Sequence, residues 1–565
     1  MPTADLVENH IVITDISYRD RDSVHELPGY SYKNNITRCV ASWPALTILR
    51  SLFPDRLSIC PALNDWLWDE YEDRIEPATE AHDWAMNPRN DADGNELLYP
   101  YQRTGTLFLL EALNGAALTD EPGTGKTAHA IELLEQDDLY PALIVMPKSA
   151  KSGWLREFQK WAPHRDVVSV NGSAVQRRKL LEETHDVFFI TWESLRIHSR
   201  LAPYGSVRLT AEERVPKELN RHWGAVVADE AHRGVDPKAK QTRALWAVGA
   251  NADYRLALTG TPIANSPADF WSILHFIAPH EWPSKTKFIE RYCLQMYNAS
   301  GYLDVTGLQS NHAEEFHSLV KVRHLRRPKE LVLPWLPTKV YETIDVEMTT
   351  PQKKAYRELQ KSLIADVDGG TVLTLDPLSL LTRLTQAACA TLSIDDGKVV
   401  LSNPSSKVDA LVELMKDMGD DPIVVFALSR QLIELAATRL EKEKISFSKI
   451  VGGQSDLVRF SEENAFYDGT SRAILLTLGA GSEALTLTRA STTCFMQRSW
   501  SMVQNKQAED RTHRPGQDAE KVLIIDMVAP DTVEESQWSV LQGKSGMLEE
   551  ITQDRQAMLR VIRGK

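Results

Sequence analysis

Cysteine is scarce in this chain, and long apolar runs are missing. The 565 residues include five cysteines, none of which forms a Cys-x-x-Cys pair, so neither a disulfide framework nor a cysteine-ligated zinc site is indicated. No apolar run approaches the ~18 residues that a membrane span needs, and the N-terminal stretch MPTADLVENH has neither the basic nor the apolar region of a signal peptide. We therefore expect a cytoplasmic protein with no membrane partner.

Positive charge is also in short supply. The 64 Lys and Arg residues are outnumbered by 78 Asp and Glu residues, which gives a net charge of −14. Such a chain has no global basic field, so any nucleic-acid site must be a local cleft. The sequence has no fixed-period repeat, and its 42% hydrophobic and 25% charged residues are typical of an ordinary globular protein. At ~150 residues per domain, the length predicts three or four domains.

The middle of the chain alternates between strand-like runs and segments with helical spacing. Such alternation predicts a mostly parallel sheet with helices on both faces. The strand-like runs lie at residues 115–120, 142–147, 187–192, 224–230 and 254–260. A second series begins near Ser406 and has strand-like runs at 422–427, 473–477 and 522–528, which indicates a second α/β lobe.

The remaining segments have a different character. Residues 296–400 carry amphipathic helical patterns and few strand-like runs, so we predict a helical insertion and linker there. The first 90 residues predict a small α+β domain, followed by a polar linker. The predicted division is residues 1–90, 91–295, 296–400, 401–540 and a C-terminal helix at 541–565.

A glycine-rich loop follows the strand-like run GAALT. The loop DEPGTGKT runs from Asp120 to Thr127 and opens a helical pattern. Gly123 and Gly125 let the backbone bend around an anion, Lys126 reaches the β and γ phosphates of a nucleotide, and the hydroxyl of Thr127 is a ligand for Mg²⁺. The strict phosphate-loop pattern has Gly where this chain has Asp120, so a simple glycine-rich turn with a surface lysine is the alternative for the motif alone.

A pair of carboxylates ends a later strand-like run. In WGAVVADEAH, Asp229 and Glu230 come at the carboxyl end of that run, which is the edge where parallel α/β sheets bind ligands. Asp229 can hold Mg²⁺ through water, and Glu230 can orient or deprotonate the water that attacks a γ-phosphate. The alternative is a solvated helix start, but the strand before the pair argues against it.

Together with LTGTPIANSPADFWSILHFI at 258–277, these two motifs resemble motifs I, II and III of superfamily-two helicases. More narrowly, they resemble the Swi/Snf-type ATPases, whose first motif usually has Asp-Glu where this chain has Asp120 and Glu121. The resemblance implies ATP and Mg²⁺ as cofactors. It also implies an α/β fold of two RecA-like parallel-sheet lobes with helical insertions, preceded here by the small N-terminal α+β domain.

Further blocks of the first lobe resemble the same family. LYPYQRTG is similar to the adenine-sensing Q motif, which assigns Gln102 to the nucleotide together with the loop residues Gly123, Thr124, Gly125, Lys126 and Thr127. ALIVMPKSAKSGWLREFQKW and FITWESL resemble motifs Ia and Ib, whose loops touch the DNA backbone in the family. This implicates Lys148, Ser149 and Thr191. We interpret Trp154, Phe158 and Trp161, at helical spacing, as core residues.

The second lobe completes the resemblance. SWSMVQNKQAEDRTHRPGQ at 499–517 is similar to motif VI and assigns Gln507, Arg511 and Arg514. Charge spreads over the γ-phosphoryl oxygens in the transition state, and a guanidinium binds them through its planar fork. We expect both arginines, at i and i+3, to share one helical face. The alternative is an exposed, salt-bridged helix that includes Glu509 and Asp510.

The motif V position is occupied by ILLTLGAGSEALTLTRAS, where Thr477 and Gly479 are the candidate DNA contacts. It departs from the commoner family string at three residues, and the threonine among them resembles the HARP-type annealing-helicase branch. Those residues are Ser482, Ala484 and Thr486. Near the N-terminus, YSYKNNITRCVASWPAL resembles the HARP domain, which would make the first domain a DNA-structure recognition module.

The sequence therefore predicts an ATP hydrolase that depends on DNA, translocates on double-stranded or branched DNA and remodels DNA or protein–DNA complexes. One alternative is a strand-separating or annealing helicase at forks or on RNA. Another is a DNA-structure-binding scaffold with a vestigial nucleotide site, although the intact motif residues argue against it. No zinc cluster, nuclease motif or chromatin-reader segment is evident, which together with the compact length favours a bacterial or viral enzyme over a chromatin remodeller. We expect a monomer that acts in a bacterial cell or a virus-infected host.

Overall fold

The computed structural model divides the chain into two units, Met1–Val332 and Leu333–Gly546. The structure describes residues 1–8, 10–21, 23–27, 29–33, 36–41, 43–67, 98–206, 208–262, 266–297, 303–362, 364–367, 370–373, 377–481, 485, 487–514, 516–535 and 537. The predicted C-terminal helix at 541–565 and the three departures in motif V, Ser482, Ala484 and Thr486, lie outside these residues.

The first unit begins with a small domain built on a five-stranded sheet. Its strands are β1 (Thr3–Val7), β2 (His10–Thr14), β3 (Ser31–Lys33), β4 (Ile36–Val40) and β5 (Ser58–Ile59), in the order β3-β4-β2-β1-β5. The helices α1 (Trp43–Leu52) and α2 (Pro61–Leu67) accompany it. Buried residues such as Ile11, Ile13 and Leu49 form a core that also takes in Leu113 and Val322 from later in the unit, so this domain packs on the first lobe.

The first lobe is a seven-stranded parallel sheet in the order β14-β6-β11-β10-β7-β9-β8. Its strands are β6 (Gly115–Leu118), β7 (Ala142–Met146), β8 (Val167–Ser169), β9 (Val187–Thr191), β10 (Trp223–Asp229), β11 (Ala252–Leu258) and β14 (His324–Leu325). A hairpin of β12 (Cys293–Tyr297) and β13 (Leu303–Leu308) precedes β14. The central strands are buried along their whole length, as their continuous apolar runs predict.

Helices connect the strands of the first lobe. They are α3 (Pro100–Glu111), α4 (Lys126–Gln136), α5 (Lys151–Trp161), α6 (Ala174–Glu182), α7 (Trp192–Leu195), α8 (Ala211–Arg214), α9 (Lys240–Gly249), α10 (Ala268–Ile277), α11 (Lys285–Tyr292), α12 (Ala313–Val320) and α13 (Lys329–Val332). Short 3-10 segments lie at Lys148–Ala150 and Ala231–Gly234, directly after β7 and β10.

The second unit holds a six-stranded parallel sheet in the order β15-β24-β23-β20-β22-β21. Its strands are β15 (Thr338–Asp345), β20 (Ile423–Ala427), β21 (Phe447–Ile450), β22 (Ala473–Thr477), β23 (Thr492–Phe495) and β24 (Lys521–Val528). Two hairpins pair β16 (Ile364–Val367) with β17 (Gly370–Leu373) and β18 (Thr391–Asp395) with β19 (Lys398–Ser402). The predicted α/β fold of two parallel-sheet lobes is confirmed.

Serine caps fix the start of several helices in this unit. The helices are α14 (Thr350–Ser362), α15 (Pro377–Cys389), α16 (Ser406–Asp417), α17 (Arg430–Lys442), α18 (Asp456–Tyr467), α19 (Leu478–Gly481) and α20 (Met502–Glu509). Ser405, Ser455 and Ser501 each accept a hydrogen bond from a backbone N–H of the first turn that they cap. Such a cap contributes about 1 kcal/mol.

Residues 296–400, assigned above to a helical insertion and linker, hold the helices α12 to α15 and also supply one strand to each parallel sheet. The short strand β14 pairs with β6 in the first lobe, and β15 pairs with β24 in the second. A two-residue strand leaves no periodicity in the sequence, and β15 is largely exposed, so its pattern TKVYETID is not an apolar run.

No helix among the described residues is long and apolar enough to cross a membrane. Within the same residues, no group of three or more His, Cys, Asp or Glu side chains is arranged to hold a metal ion.

Candidate active site

The three motif-bearing strands of the first lobe end level with one another. In the sheet, Leu118 of β6 is in register with Leu258 of β11, which is in register with Asp229 of β10. The phosphate loop therefore starts two strand spacings, about 10 Å, from Asp229. Because all three strands are parallel, their carboxyl ends share one edge, where α/β sheets bind ligands.

The phosphate loop has the backbone that its glycines predict. Gly123 and Gly125 have φ angles of +86° and +78°, in the left-handed region where a side chain is strained. Lys126 is the first residue of α4, and its Nζ donates to the backbone carbonyls of Asp120 at 2.7 Å and Glu121 at 3.2 Å. Thr127 follows it in the first turn of the helix. The loop thus presents a helix N-terminus and an ammonium at the sheet edge, which together favour an anion.

Two side chains of α3 hold the loop from behind. The hydroxyl of Tyr101 donates to the carbonyl of Thr124 at 2.8 Å, and Nε2 of Gln102 donates to the same oxygen at 3.3 Å. Oε1 of Gln102 accepts from the backbone N–H of Tyr99 at 3.0 Å. A Cβ at Gly125 would collide with Gln102 Nε2. Gln102 therefore contacts the phosphate loop itself.

Asp229 is held by two tryptophans. The indole N–H of Trp154, on α5, donates to Oδ2 of Asp229 at 2.8 Å, and that of Trp192, on α7, donates to its backbone carbonyl at 3.0 Å. Burial, with a smaller contribution from the Glu230 carboxylate, raises the pKa of Asp229 to about 6. Trp154, Phe158 and Trp161 are all buried, but helical periodicity gave no sign that one of them also fixes a candidate catalytic carboxylate.

Glu230 has a strained backbone at the end of β10. Its φ of +51° is left-handed for a residue with a side chain. Its Oε2 lies 3.2 Å from Nδ1 of His232, and the same nitrogen is 3.1 Å from Oγ1 of Thr259, which follows β11. The Glu230 carboxylate is thereby linked to the LTGTP segment. Backbone strain of this kind is concentrated at functional sites.

The motif VI arginines of the second unit do not share a helical face. Helix α20 ends at Glu509, so Arg511 and Arg514 lie in the turn after it. The interpretation of this segment as an exposed surface helix is also wrong, because Glu509, Asp510 and Arg511 are 7%, 1% and 5% exposed.

Charged partners hold this turn in place. Lys339 Nζ donates to Asp510 at 2.9 Å, and Arg498 pairs with both Glu509 and Asp526. Burial lowers the pKa of Arg514, whose Nε donates to the backbone carbonyl of Asp510 at 2.9 Å.

A scan of known families decides the relationship. The SNF2-related domain matches residues 65–392, which is more than half of the chain, and the helicase conserved C-terminal domain matches residues 406–516. The chain belongs to the SNF2-related family. The resemblance to Swi/Snf-type ATPases of helicase superfamily two is thereby confirmed.

Individual relatives cover most of this SNF2-related chain. The DNA annealing helicase and endonuclease ZRANB3 of Homo sapiens is 26% identical over 457 residues, which are 79% of this chain and 40% of that protein. The uncharacterized ATP-dependent helicase MG018 of Mycoplasma genitalium is 27% identical over 474 residues, 81% of this chain and 42% of that protein. The chain thus spans about two fifths of these relatives. The solved Sulfolobus solfataricus SWI2/SNF2 ATPase core in complex with dsDNA is 23% identical, with a TM-score of 0.40, and the match covers 83% of this chain and 95% of that one.

Sequence reasoning missed one strand segment of the SNF2-related site. After β14, the chain runs beside the phosphate loop, and the backbone N–H of Glu121 donates to the carbonyl of Arg327 at 3.4 Å. Arg327 pairs with Asp120 at 2.5 Å, and Arg326 donates to the carbonyl of Thr119 at 3.0 Å. The sequence RHLRR at 323–327 held a signal, since three arginines in five residues are unusual in a segment that enters a buried sheet.

The candidate DNA contacts occupy strand ends in both units. Lys148 is exposed in the turn after β7, and Thr191 ends the neighbouring strand β9, where its hydroxyl accepts from the N–H of Ser194. The side chain of Ser149 lies outside the described residues. In the second unit, Thr477 is buried at the end of β22, whereas Gly479 is exposed and a Cβ there would meet nothing within 4 Å.

Proposed function

We propose that this SNF2-related chain hydrolyses ATP with Mg²⁺ in a DNA-dependent reaction and translocates on double-stranded DNA. The observation that carries the proposal is the level edge of the first-lobe sheet, where three neighbouring parallel strands end. The phosphate loop follows β6, Thr259 follows β11, and Asp229 is the last residue of β10. Nucleotide phosphates bind such an edge through a helix N-terminus and a lysine. Family membership supports the same chemistry.

The residues at this edge fit a hard cation. Thr127 and Asp229 offer hydroxyl and carboxylate oxygens, the ligands that Mg²⁺ prefers, and a buried carboxylate with a raised pKa gains from a nearby positive charge. Bound there, Mg²⁺ would neutralise negative charge on the nucleotide phosphates. We assign Thr127 and Asp229 to holding it.

Each remaining group has a role in phosphoryl transfer. Lys126 leaves the loop carbonyls and binds the β and γ phosphates, and Glu230 orients the attacking water and accepts its proton. Arg511 and Arg514 supply positive charge to the γ-phosphoryl group in the transition state.

Duplex tracking is favoured over unwinding as the primary activity. Contacts to phosphates alone suffice to follow a duplex and carry no sequence information. Unwinding must additionally supply roughly 1.4 kcal/mol of stacking per base-pair step. The motif set resembles Swi/Snf-type ATPases, and the candidate contacts Lys148 and Thr191 lie on the same sheet edge as the nucleotide site.

Two paired assays test the proposal at one stated salt concentration. ATPase rates are measured without nucleic acid and with single-stranded, double-stranded and forked DNA and RNA. Triplex displacement is then measured beside unwinding on the same duplex. We expect stimulation by duplex DNA and displacement of the third strand without separation of the duplex. Strand separation without triplex displacement would instead establish a helicase.

A second candidate, strand separation or annealing at a fork, is favoured by one specific feature. The hairpin of β12 and β13 leaves Leu294, Met296 and Tyr297 at 47%, 62% and 78% exposure. Apolar side chains of this kind insert between base steps in proteins that deform DNA, and the human relative is a DNA annealing helicase by name. If this candidate is correct, Met296→Ser will reduce annealing or unwinding more than duplex-stimulated ATPase.

Recognition of branched DNA is assigned to the N-terminal domain. Tyr18 is 86% exposed, Tyr32 is 44% exposed, and the guanidinium of Arg21 lies 5.9 and 5.7 Å from their ring centroids. Exposed aromatic and arginine side chains stack on unpaired bases. Arg21→Ala is expected to reduce the preference for forked over linear DNA and to leave ATPase on linear duplex unchanged; an unchanged fork preference would remove this role.

A further inference from the structure

Arg327 lies at the centre of a buried network behind the phosphate loop. Its side chain donates to Oδ2 of Asp120 from Nε at 3.1 Å and from Nη2 at 2.5 Å, and its backbone N–H donates to Oδ1 at 2.8 Å. Asp120 is fully buried and Arg327 is 6% exposed. Burying two charges costs desolvation free energy, and this cost is offset only when the pair has good geometry and its remaining polar atoms are hydrogen-bonded.

The same guanidinium is linked to the phosphate loop by two chains of hydrogen bonds. Nη1 donates to the backbone carbonyl of Tyr101 at 2.6 Å, and the Tyr101 hydroxyl donates in turn to the carbonyl of Thr124 at 2.8 Å. Nη2 lies 3.3 Å from Nε2 of His129, whose Nδ1 lies 3.1 Å from the carbonyl of Gly125. Arg327 is therefore connected to the carbonyl of Thr124 through Tyr101 and to the carbonyl of Gly125 through His129.

The link through His129 requires one protonation state. Nε2 of His129 faces a cation and must accept, so Nδ1 carries the hydrogen and donates to the carbonyl of Gly125. Opposite Arg327 the site has no spare room, because a Cβ at Gly105 would lie 2.6 Å from both Arg327 Nη2 and His129 Nε2.

Fixing these two carbonyls fixes the opposite side of the loop. In a trans peptide the C=O and the N–H point in opposite directions. With the carbonyls of Thr124 and Gly125 held toward the protein, the N–H groups of Gly125 and Lys126 point the other way. Those N–H groups form the start of the anion-binding helix N-terminus.

We propose that Arg327 is a positioning residue of the nucleotide site, which sets the affinity for the nucleotide phosphates by orienting the peptide planes at Thr124 and Gly125. Arg327 acts through Asp120, Tyr101 and His129, and it does not touch the nucleotide. The role rests on the proposed function, since it concerns the same site. It adds a residue that follows β14, the strand next to β6, and that belongs to none of the motifs of that site.

Arg327→Lys is the informative substitution. Lysine keeps the positive charge beside Asp120, but a single ammonium lacks the planar fork needed to reach Asp120, Tyr101 and His129 together. Arg323→Lys is the matched control, because Arg323 is also buried on the same segment, but its side chain pairs with Glu281 at 2.5 Å and donates to the carbonyl of Gly115, at the opposite end of β6 from the phosphate loop.

The readouts are the binding of a fluorescent ADP analogue, KM and kcat for ATP with duplex DNA, and Tm. We expect Arg327→Lys to weaken nucleotide binding and raise KM at least about tenfold, with kcat at saturation within about threefold, as for loss of a charge-assisted hydrogen bond. Arg323→Lys should leave KM within about twofold at a similar loss of Tm. Equal changes of KM in the two variants, or a loss confined to kcat, would overturn the inference.

A double variant covers the case in which Arg327→Lys does not fold. Asp120→Asn with Arg327→Gln removes both buried charges, so no unpaired ion remains. The double variant should fold, but it should bind nucleotide at least about tenfold more weakly than the unmodified protein. Unchanged binding would overturn the inference. Failure of the unmodified protein to bind or hydrolyse ATP would refute the proposed function instead, so the two failures are distinct.

Discussion

Trp154→Phe tests whether the tryptophan at Asp229 contributes to metal and nucleotide binding. The substitution removes the indole N–H that donates to Asp229 Oδ2 at 2.8 Å, while an aromatic ring stays beside Phe158 and Phe189. A hydrogen bond to a charged group contributes about 1.5–3 kcal/mol. Loss of a partner that orients a metal-binding carboxylate typically costs about 10- to 100-fold in metal affinity or activity.

The chain offers a matched control in Trp192→Phe. Trp192 is also fully buried and donates to the same residue, but to the backbone carbonyl of Asp229 at 3.0 Å. A neutral hydrogen bond of this kind is worth about 0.5–1.5 kcal/mol, and its loss leaves the carboxylate in place. Both variants are therefore expected to be less stable, but only Trp154→Phe is expected to bind Mg²⁺ more weakly.

The assay is duplex-stimulated ATPase as a function of Mg²⁺ concentration, together with denaturant unfolding of each variant. We expect Trp154→Phe to raise the half-saturating Mg²⁺ concentration by about tenfold or more, and Trp192→Phe to leave it near that of the unmodified protein. The same Mg²⁺ dependence in both variants would refute the reasoning, because the carboxylate contact would then be irrelevant to the metal.

Three further predictions concern the motif residues and the buried histidines. Lys126→Ala should abolish hydrolysis, whereas Glu230→Gln should bind ATP and not turn it over; near-normal turnover in Glu230→Gln contradicts its role toward water. Alanine at Arg511 or Arg514 should lower kcat by about 10³- to 10⁵-fold with little change in nucleotide affinity, and an unchanged kcat in both variants removes the second-lobe assignment. Burial lowers the pKa of His129 to about 4 and that of His324 to about 3, so between about pH 6.5 and 4 the unfolded chain binds protons that the folded chain does not. As the pH is lowered through this range, the unfolding free energy should fall by about 1.4 kcal/mol per pH unit for each histidine. If His324→Gln leaves this slope unchanged, the prediction is contradicted.

The parts of the site that sequence reasoning located are those with local signals. Continuous apolar runs predicted the central strands, and the glycines with the following lysine predicted the phosphate loop. The spacing of the Asp229–Glu230 pair after its strand placed it at the sheet edge. Each signal fits within about ten residues, so a single sequence carries it.

The contacts that were missed join residues far apart in the chain. Asp120 and Arg327 are separated by 207 positions, and Trp154 and Asp229 by 75. The pairing of β14 with β6 brings the first two residues together, the pairing of β10 with β7 brings the second two together, and β14 is only two residues long. The end of α20 at Glu509 was missed for a different reason, because the buried partners Lys339 and Arg498 hold the following turn in place.

The pairing of β14 with β6 bears on how this protein is dissected into fragments for expression. A recombinant first lobe that ended at residue 295, where the sequence patterns place its end, would lack β14. Strand β6 would then be an unpaired edge strand, and Asp120 would be a buried anion without its counter-ion. An exposed strand edge pairs with strands of other chains, so the fragment is expected to aggregate. The same cut would take Val322 out of the N-terminal core. A usable fragment must therefore extend at least through Lys329, whose backbone N–H donates to Glu121 at 3.0 Å.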